Sequence, residues 1–288
     1  MEKYSPDIQP RRLRFHLTPP VPKFWHSNSD IKTYHFNALA IFLPILERLV
    51  VLSIKKALKE VSSPKLKAEV TSLVAQEAIH GIEFSRINED LILPHYPIHT
   101  SQYKLRFFRI VAGLINQFSS TFHYALSAAG EHFTAISADL FLRNAIWFEG
   151  VDPVYSAIWR WHCIEEIEHK SVAFDVFKAQ KGSYFIRILA MLIMTGVFSV
   201  LYLKPIWTMM KQDKNHINLK FYGRALKYYW GKNGLCRALF KPYLDYYKPS
   251  FHPTQHQNEQ LIVKWKAFFQ KTTFTEIVEK LQFLEPPV

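Results

Sequence analysis

The sequence predicts an all-α fold, a four-helix bundle with additional C-terminal helices. Three observations carry that prediction. Only 9 glycines occur in 288 residues, too few for a turn-rich all-β chain, and no Gly-rich nucleotide loop is present. Stretches between Asn37 and Lys181 carry apolar residues at helical spacing. Two Glu-x-x-His segments, Glu77-Ala-Ile-His80 and Glu166-Ile-Glu-His169, lie inside two of those stretches, and each follows another apolar stretch that holds a glutamate, Glu47 or Glu131.

The elements follow in order. Residues 1–30 carry Pro6, Pro10, Pro19, Pro20 and Pro22 and read as an extended N-terminal arm. A first helix is predicted from Asn37 to Glu60, interrupted or bent at Pro44, whose ring removes a backbone N–H. Ser63-Pro64 opens a second helix, with proline in its first turn. It runs to Asp90 and ends at Leu93-Pro94-His95-Tyr96-Pro97. Gln102 to Trp147 reads as one long helix or two consecutive ones. Gly150 to Pro153 is a turn, and a further helix runs from Pro153 to Lys181. Residues 31–182 thus form the metal-binding bundle, with a long crossover between the second and third metal-carrying helices.

Residues 183–288 read as a helical extension packed on the bundle. Ile188–Leu203 is uncharged between Arg187 and Lys204, shorter than the ~20 residues of a spanning helix. An apolar helix near 186–210 is expected. A buried core helix is the first reading of it. A membrane-dipping or spanning helix is the second, on the basic and aromatic residues that flank it.

Composition narrows the function classes. The chain holds 36 Lys+Arg against 24 Asp+Glu, a net charge of +12, which suits anionic surfaces without choosing among them. No nucleic-acid readout motif accompanies the charge, so nucleic acid is not an expected partner. Two cysteines make no disulfide framework, and Met-Glu-Lys-Tyr-Ser-Pro lacks the apolar region of a secretory signal. A cytoplasmic location is expected, with association at a membrane surface left open. The oligomeric state is not legible.

The chemistry lies in the carboxylates and imidazoles. Residues three or four apart share a helix face, so Glu77 projects with His80, and Glu166 with His169. Glu47 and Glu131 each add a carboxylate from another helix. Glu47, Glu77, His80, Glu131, Glu166 and His169 match the ligand set by which ferritin-like bundles hold two metal ions. Four carboxylates and two imidazoles leave two divalent ions near neutral. The oxygen-rich set suits Fe first, with Mn or Zn as alternatives, because structural Zn prefers thiolates. One Glu-x-x-His on a helix is a common accident, but two in this order are not. Burying such carboxylates without a partner costs several kcal/mol. His162, Glu165 and Tyr124 are candidates for hydrogen-bonding and orienting the ligands, and His162 reads equally as a satisfied core histidine.

At these residues the chain resembles the bacterial family of predicted metal-dependent hydrolases, related to ferritin-like di-iron proteins. The matching stretches are Phe36-Asn-Ala-Leu-Ala40 with Pro44 and Glu47, Gln76-Glu-Ala-Ile-His80 with Asn88, and Glu131-His-Phe-Thr-Ala135. Most specific is Trp161-His-Cys-Ile-Glu-Glu-Ile-Glu-His-Lys170 with Val172-Ala-Phe-Asp175, and Tyr247-Lys-Pro-Ser-Phe-His-Pro253 follows near the C-terminus. The likeness runs from Arg11 to Pro253 and implies a helical bundle with a metal-dependent activity. Two positions depart from the family's pattern: Phe84 stands where a histidine is common, and Leu46 where a glycine is usual. If that histidine is a ligand elsewhere, this chain lacks it.

The first functional reading is a di-iron oxidase or oxygenase acting on an apolar small molecule. The alternatives are a two-metal hydrolase of an ester or phosphoester and a non-enzymatic metal-binding or scaffold protein. No Ser-His-Asp arrangement, G-x-S-x-G or H-E-x-x-H is present, so no catalytic residue is assigned beyond the ligands.

Overall fold

The protein is described from a computed structural model covering residues 8–13, 15, 21–98, 113, 117–263 and 267. Among these residues every regular element is a helix, and the one β feature is an isolated bridge between His26 and Val151. The all-α prediction holds.

Each long helix starts at a side-chain cap. Ser29 accepts from the Lys32 N–H and opens α1, Asp30–Ile54. The predicted start at Asn37 is therefore several residues late: the cap and the acidic Asp30 beside it favour the earlier origin. A single turn at Ala57–Glu60 follows. Ser63 caps α2, Pro64–Ile87, which passes directly into a π-helical turn at Asn88–Ile92. The prediction for 102–119 lies largely outside the described residues. Ser119 caps α3, Ser120–Arg143, and Asp152 caps α4, Pro153–His169. The predicted helix from Pro153 to Lys181 is two helices, because the chain turns at Lys170–Ser171 before α5, Val172–Ala179. Then come α6, Tyr184–Gln212, α7, Leu219–Trp230, and α8, Leu235–Asp245.

Pro44 sits inside α1, so the Ala40 carbonyl lacks the N–H it would meet one turn on. Asn88 in the π turn donates its Nδ2 to that carbonyl at 2.8 Å. A polar side chain thereby repairs the ladder one turn before Glu47.

α1 packs on α2, α3 and α6; α3 packs on α4, α5 and α6; α2 packs on α4 and α5. The segments 30–60 and 184–212 are both long and apolar enough to cross a membrane by length and composition. They differ in burial. The most apolar window of the first is 78% buried in the fold and that of the second only 28%. The core-helix reading of residues 186–210 is thus corrected. Arg187, Ala190, Met191, Met194, Leu201 and Met209 are buried, while Phe185, Leu189, Leu192, Val200, Leu203 and Trp207 are exposed. α6 packs on α1 and α3, and among the described residues its other side is left exposed.

Candidate metal centre

Helices α1 to α4 bring the predicted carboxylates and imidazoles to one place, and all of them are buried. One donor atom each from Glu47, His80, His162 and Glu166 lies within 4.8 Å of the others, and the same holds for Glu77, His80, Glu166 and His169. His80 and Glu166 belong to both groups. Glu166 and His169 sit one turn apart on α4, and His162 one turn earlier, so all three line one face.

The surrounding contacts orient the rings. His80 Nε2 meets Glu165 Oε2 at 2.9 Å, and Glu165 Oε1 accepts from Arg11 at 3.0 Å. Arg11 also grips Glu168, at 2.6 and 2.9 Å. Glu168 accepts in addition from Gln76 Nε2, the neighbour of Glu77, at 3.0 Å. His169 Nδ1 meets Glu131 Oε2 at 2.7 Å. One nitrogen of each of these two imidazoles is therefore occupied on the outside.

The inward atoms have no hydrogen-bond partner. Glu47 Oε2, Glu77 Oε1, His80 Nδ1, Glu166 Oε1 and His169 Nε2 are all buried and unsatisfied, although leaving one such group unpaired costs about 1–3 kcal/mol. His169 Nε2 approaches Glu77 Oε1 at 3.0 Å, and His162 Nε2 approaches Glu166 Oε1 at 3.0 Å, yet neither pair has hydrogen-bond geometry. Two ligands bonded at ~2.1 Å to a common octahedral ion stand about 3 Å apart. The inward atoms and their chemistry fit a cation.

Electrostatics point the same way. Burial pushes the Glu47 carboxyl up to about 7, helped by Glu77 and opposed by His162. Burial likewise pushes Glu131 up to about 8, against the pull of His169. Burial lowers His80, but the neighbouring carboxylates of Glu165 and Glu166 outweigh that and raise it to about 9. His162 and His169 are raised well above the usual imidazole value, because neighbouring carboxylates overcome burial. Glu166 goes the other way: burial raises it, but His162 and His169 hold it well below the carboxylate range. Without a cation, protons supply the positive charge that this cluster needs.

The predicted residues do not all stand alike. Glu131 reaches His169 and belongs to neither group of converging donors, whereas His162 belongs to one. Tyr124 turns elsewhere, with its hydroxyl donating to Glu60 Oε2 at 2.9 Å. Phe84 packs its ring 4.9 Å from that of His162 and 5.0 Å from that of Trp159. Sequence reasoning missed Arg11, Gln76 and Glu168. The one signal for Glu168 was a third acid close behind Glu165 and Glu166 on the same helix, and Arg11 gave none.

One small cavity touches the site and a larger one lies beyond it. A chamber of about 30 Å³ is lined by His162, Cys163, Thr134 and Ser137 among apolar residues, roughly the room one water takes. A larger cavity of about 900 Å³ shares Leu39, Phe133, Ser137, Phe141 and Phe198 with it and runs between α1, α3, α6, α7 and α8. Among the described residues, no Lys, Arg, Asp or Glu lines the larger cavity. His35, which does, is held neutral: burial lowers it to about 3, and its Nδ1 meets the Tyr202 hydroxyl at 2.5 Å.

A family model described as predicted metal-dependent hydrolase matches residues 9–257. No curated protein and no solved structure matches the chain.

Proposed function

The chain belongs to the family of predicted metal-dependent hydrolases, and we propose that it holds two divalent metal ions with which it hydrolyses an ester or phosphoester of an apolar molecule. The ligands in this reading are Glu47, Glu77, His80, His162, Glu166 and His169. Glu131 orients His169, on a helical frame of the ferritin-like kind. The carrying observation is the convergence of five buried donor atoms that have no hydrogen-bond partner.

A bound pair of divalent ions polarises the oxygen of the scissile group and lowers the pKa of a coordinated water. The chain's own residues do the rest. Glu165 takes the His80 Nε2 proton in hydrogen bond and leaves Nδ1 facing the ligand atoms. Glu131 does the same at His169 Nδ1. Arg11 pairs with Glu165 and Glu168 and sets a cation behind the ligand rings. Phe84, Trp159 and Trp161 wall the site with rings and keep bulk water out. The small chamber admits a single water next to His162, and the large one accepts an uncharged, apolar body.

A second reading, a di-iron oxidase or oxygenase, is favoured by one observation. Both donor groups consist only of carboxylates and imidazoles, a set that suits iron as well as manganese or zinc. Elemental analysis of the protein from iron-, manganese- and zinc-supplemented cultures decides, followed by assays on hydrophobic esters and phosphoesters and by oxygen uptake. Bound zinc or manganese with ester turnover supports hydrolysis. Stoichiometric iron with oxygen uptake and no ester turnover moves the assignment to the second reading. No metal in any medium overturns both and leaves a scaffold.

A further inference from the structure

We propose that the outer surface of α6, α7 and α8 docks on an anionic lipid bilayer, with the mouth of the 900 Å³ cavity held against the lipid. The surface is independent of the metal assignment. Along α6, Phe185, Leu189, Leu192, Gly196, Val200, Leu203 and Trp207 recur at steps of four and three and are all exposed. They form one stripe about 33 Å long at the helical rise. α7 repeats the pattern with Leu219, Tyr222, Leu226 and Trp230, and Leu219 is 85% exposed. Phe240 and Leu244 of α8 are exposed as well. Exposed apolar residues scattered singly mean little, but a continuous field of them marks a contact surface.

The charge around that field chooses the occupant. Residues 204–241 hold nine Lys and Arg against one acid, Asp213, a surplus of eight out of the chain's net +12. All nine are exposed, whereas Asp213 accepts from Lys23, Tyr34 and Tyr96. A second copy placed on this face by a two-fold axis would set like charge against like. An anionic bilayer supplies both an apolar interior and negative headgroups. Trp207, Tyr222 and Trp230 suit the headgroup boundary, and Lys211 lies over the Trp207 ring at 5.6 Å.

The helices lie in the plane of the membrane rather than across it. The opposite side of α6 is packed on α1 and α3, which carry the buried Glu47 and Glu131. Spanning would strip that contact and carry the carboxylates towards hydrocarbon. The docking face also contains the cavity entrance: Leu203, Tyr222, Leu226, Trp230 and Phe240 are exposed and line the cavity. An apolar ligand therefore passes from bilayer to cavity without crossing water.

Flotation of the full chain with phosphatidylcholine vesicles, with and without about one-third phosphatidylglycerol, tests this. The expected result is binding to the anionic vesicles, lost at about 0.5 M salt, with a blue shift of tryptophan emission. The double variant Leu189→Asp/Leu192→Asp, which touches neither the cavity nor the donor groups, should bind about a hundredfold more weakly with unchanged helix content. Lys220→Glu/Lys227→Glu should weaken binding at low salt alone. The proposal is overturned if the native protein fails to float with anionic vesicles at low salt, or if both double variants float as it does. It is also overturned if the native protein is a dimer that Leu189→Asp/Leu192→Asp converts to monomer, because a second copy then covers the stripe.

Discussion

Glu166 and Glu131 are both buried carboxylates of the predicted set, yet their surroundings separate them. Glu166 Oε1 lies 3.0 Å from His162, 3.5 Å from His80 and 3.9 Å from His169. Glu131 spends its close contact on the outer nitrogen of His169. Glu166→Ala should therefore empty both donor groups, whereas Glu131→Ala should leave the ligands in place and lower metal affinity by about 10–100-fold. Metal content and competition titration read the difference. Equal loss in both variants would make Glu131 a ligand and restore the six-residue set predicted from spacing. Spacing on one helix reveals which side chains share a face. It does not reveal which carboxylate turns to a ring, and that is why the contact of Glu131 with His169 and the place of His162 in a donor group were not legible in the sequence. The same residues set a pH dependence. Glu47 and Glu131 are raised to about 7 and about 8, and His80 to about 9. Each therefore stabilises the metal-free fold below its unfolded value and loses that contribution as pH rises through the folded one. The metal-free protein should melt at falling temperature from about pH 6 to about pH 9. The melting increment produced by added metal should grow over the same interval, since ligands must release protons to bind it. A metal-free melting temperature that climbs across that range would contradict this account of the cluster.

At the scale of elements, helix existence was legible and helix integrity was not. Ser63-Pro64 and Gly150–Pro153 mark their boundaries by chemistry that acts within a few residues, and both appear where the sequence puts them. The break after His169 and the uncovered side of α6 depend on what packs nearby, which no local pattern contains. Pro44 is the informative case. The sequence predicts an interruption or a bend from the missing N–H; α1 runs uninterrupted from Asp30 to Ile54, and Asn88, 48 residues away, satisfies the Ala40 carbonyl. Asn88→Ala should cost about 1–3 kcal/mol by leaving that buried carbonyl unpaired. In a Pro44→Ala background the backbone N–H returns, and the same substitution should cost much less. Denaturant melts of the four proteins give the coupling. Additive costs would mean that Asn88 acts through something other than the proline's gap.

Over the whole molecule, the site depends on chain segments far from it in sequence. The arm, read only as extended, delivers Arg11 to Glu165 and Glu168 across 154 and 157 positions. At the other end, Lys170 donates to the His256 carbonyl at 2.7 Å, and His252 meets Asp175 at 2.9 Å, so the C-terminal extension is tied to the chain just beyond His169. Such pairings carry no periodic signal. Only the resemblance of the segments around Lys170, Asp175 and His252 to one family hinted that they belong together. The arm gives the stricter test of this dependence. Arg11 is 14% exposed, and its two carboxylate partners have fully buried side chains, so Arg11→Met removes a cation from a buried pair at a cost of about 3–5 kcal/mol. Glu165 would lose the partner that holds it in place against His80, and metal affinity should fall together with stability. Glu168→Gln added to Arg11→Met removes one of the stranded carboxylates while leaving the bond partner of His80 in place, so it should recover part of the melting temperature. Thermal melts of both proteins, with and without metal, separate these effects. If Arg11→Met melts with the native protein and binds metal as tightly, the arm is only a covering, and the orientation of His80 rests on Glu165 alone.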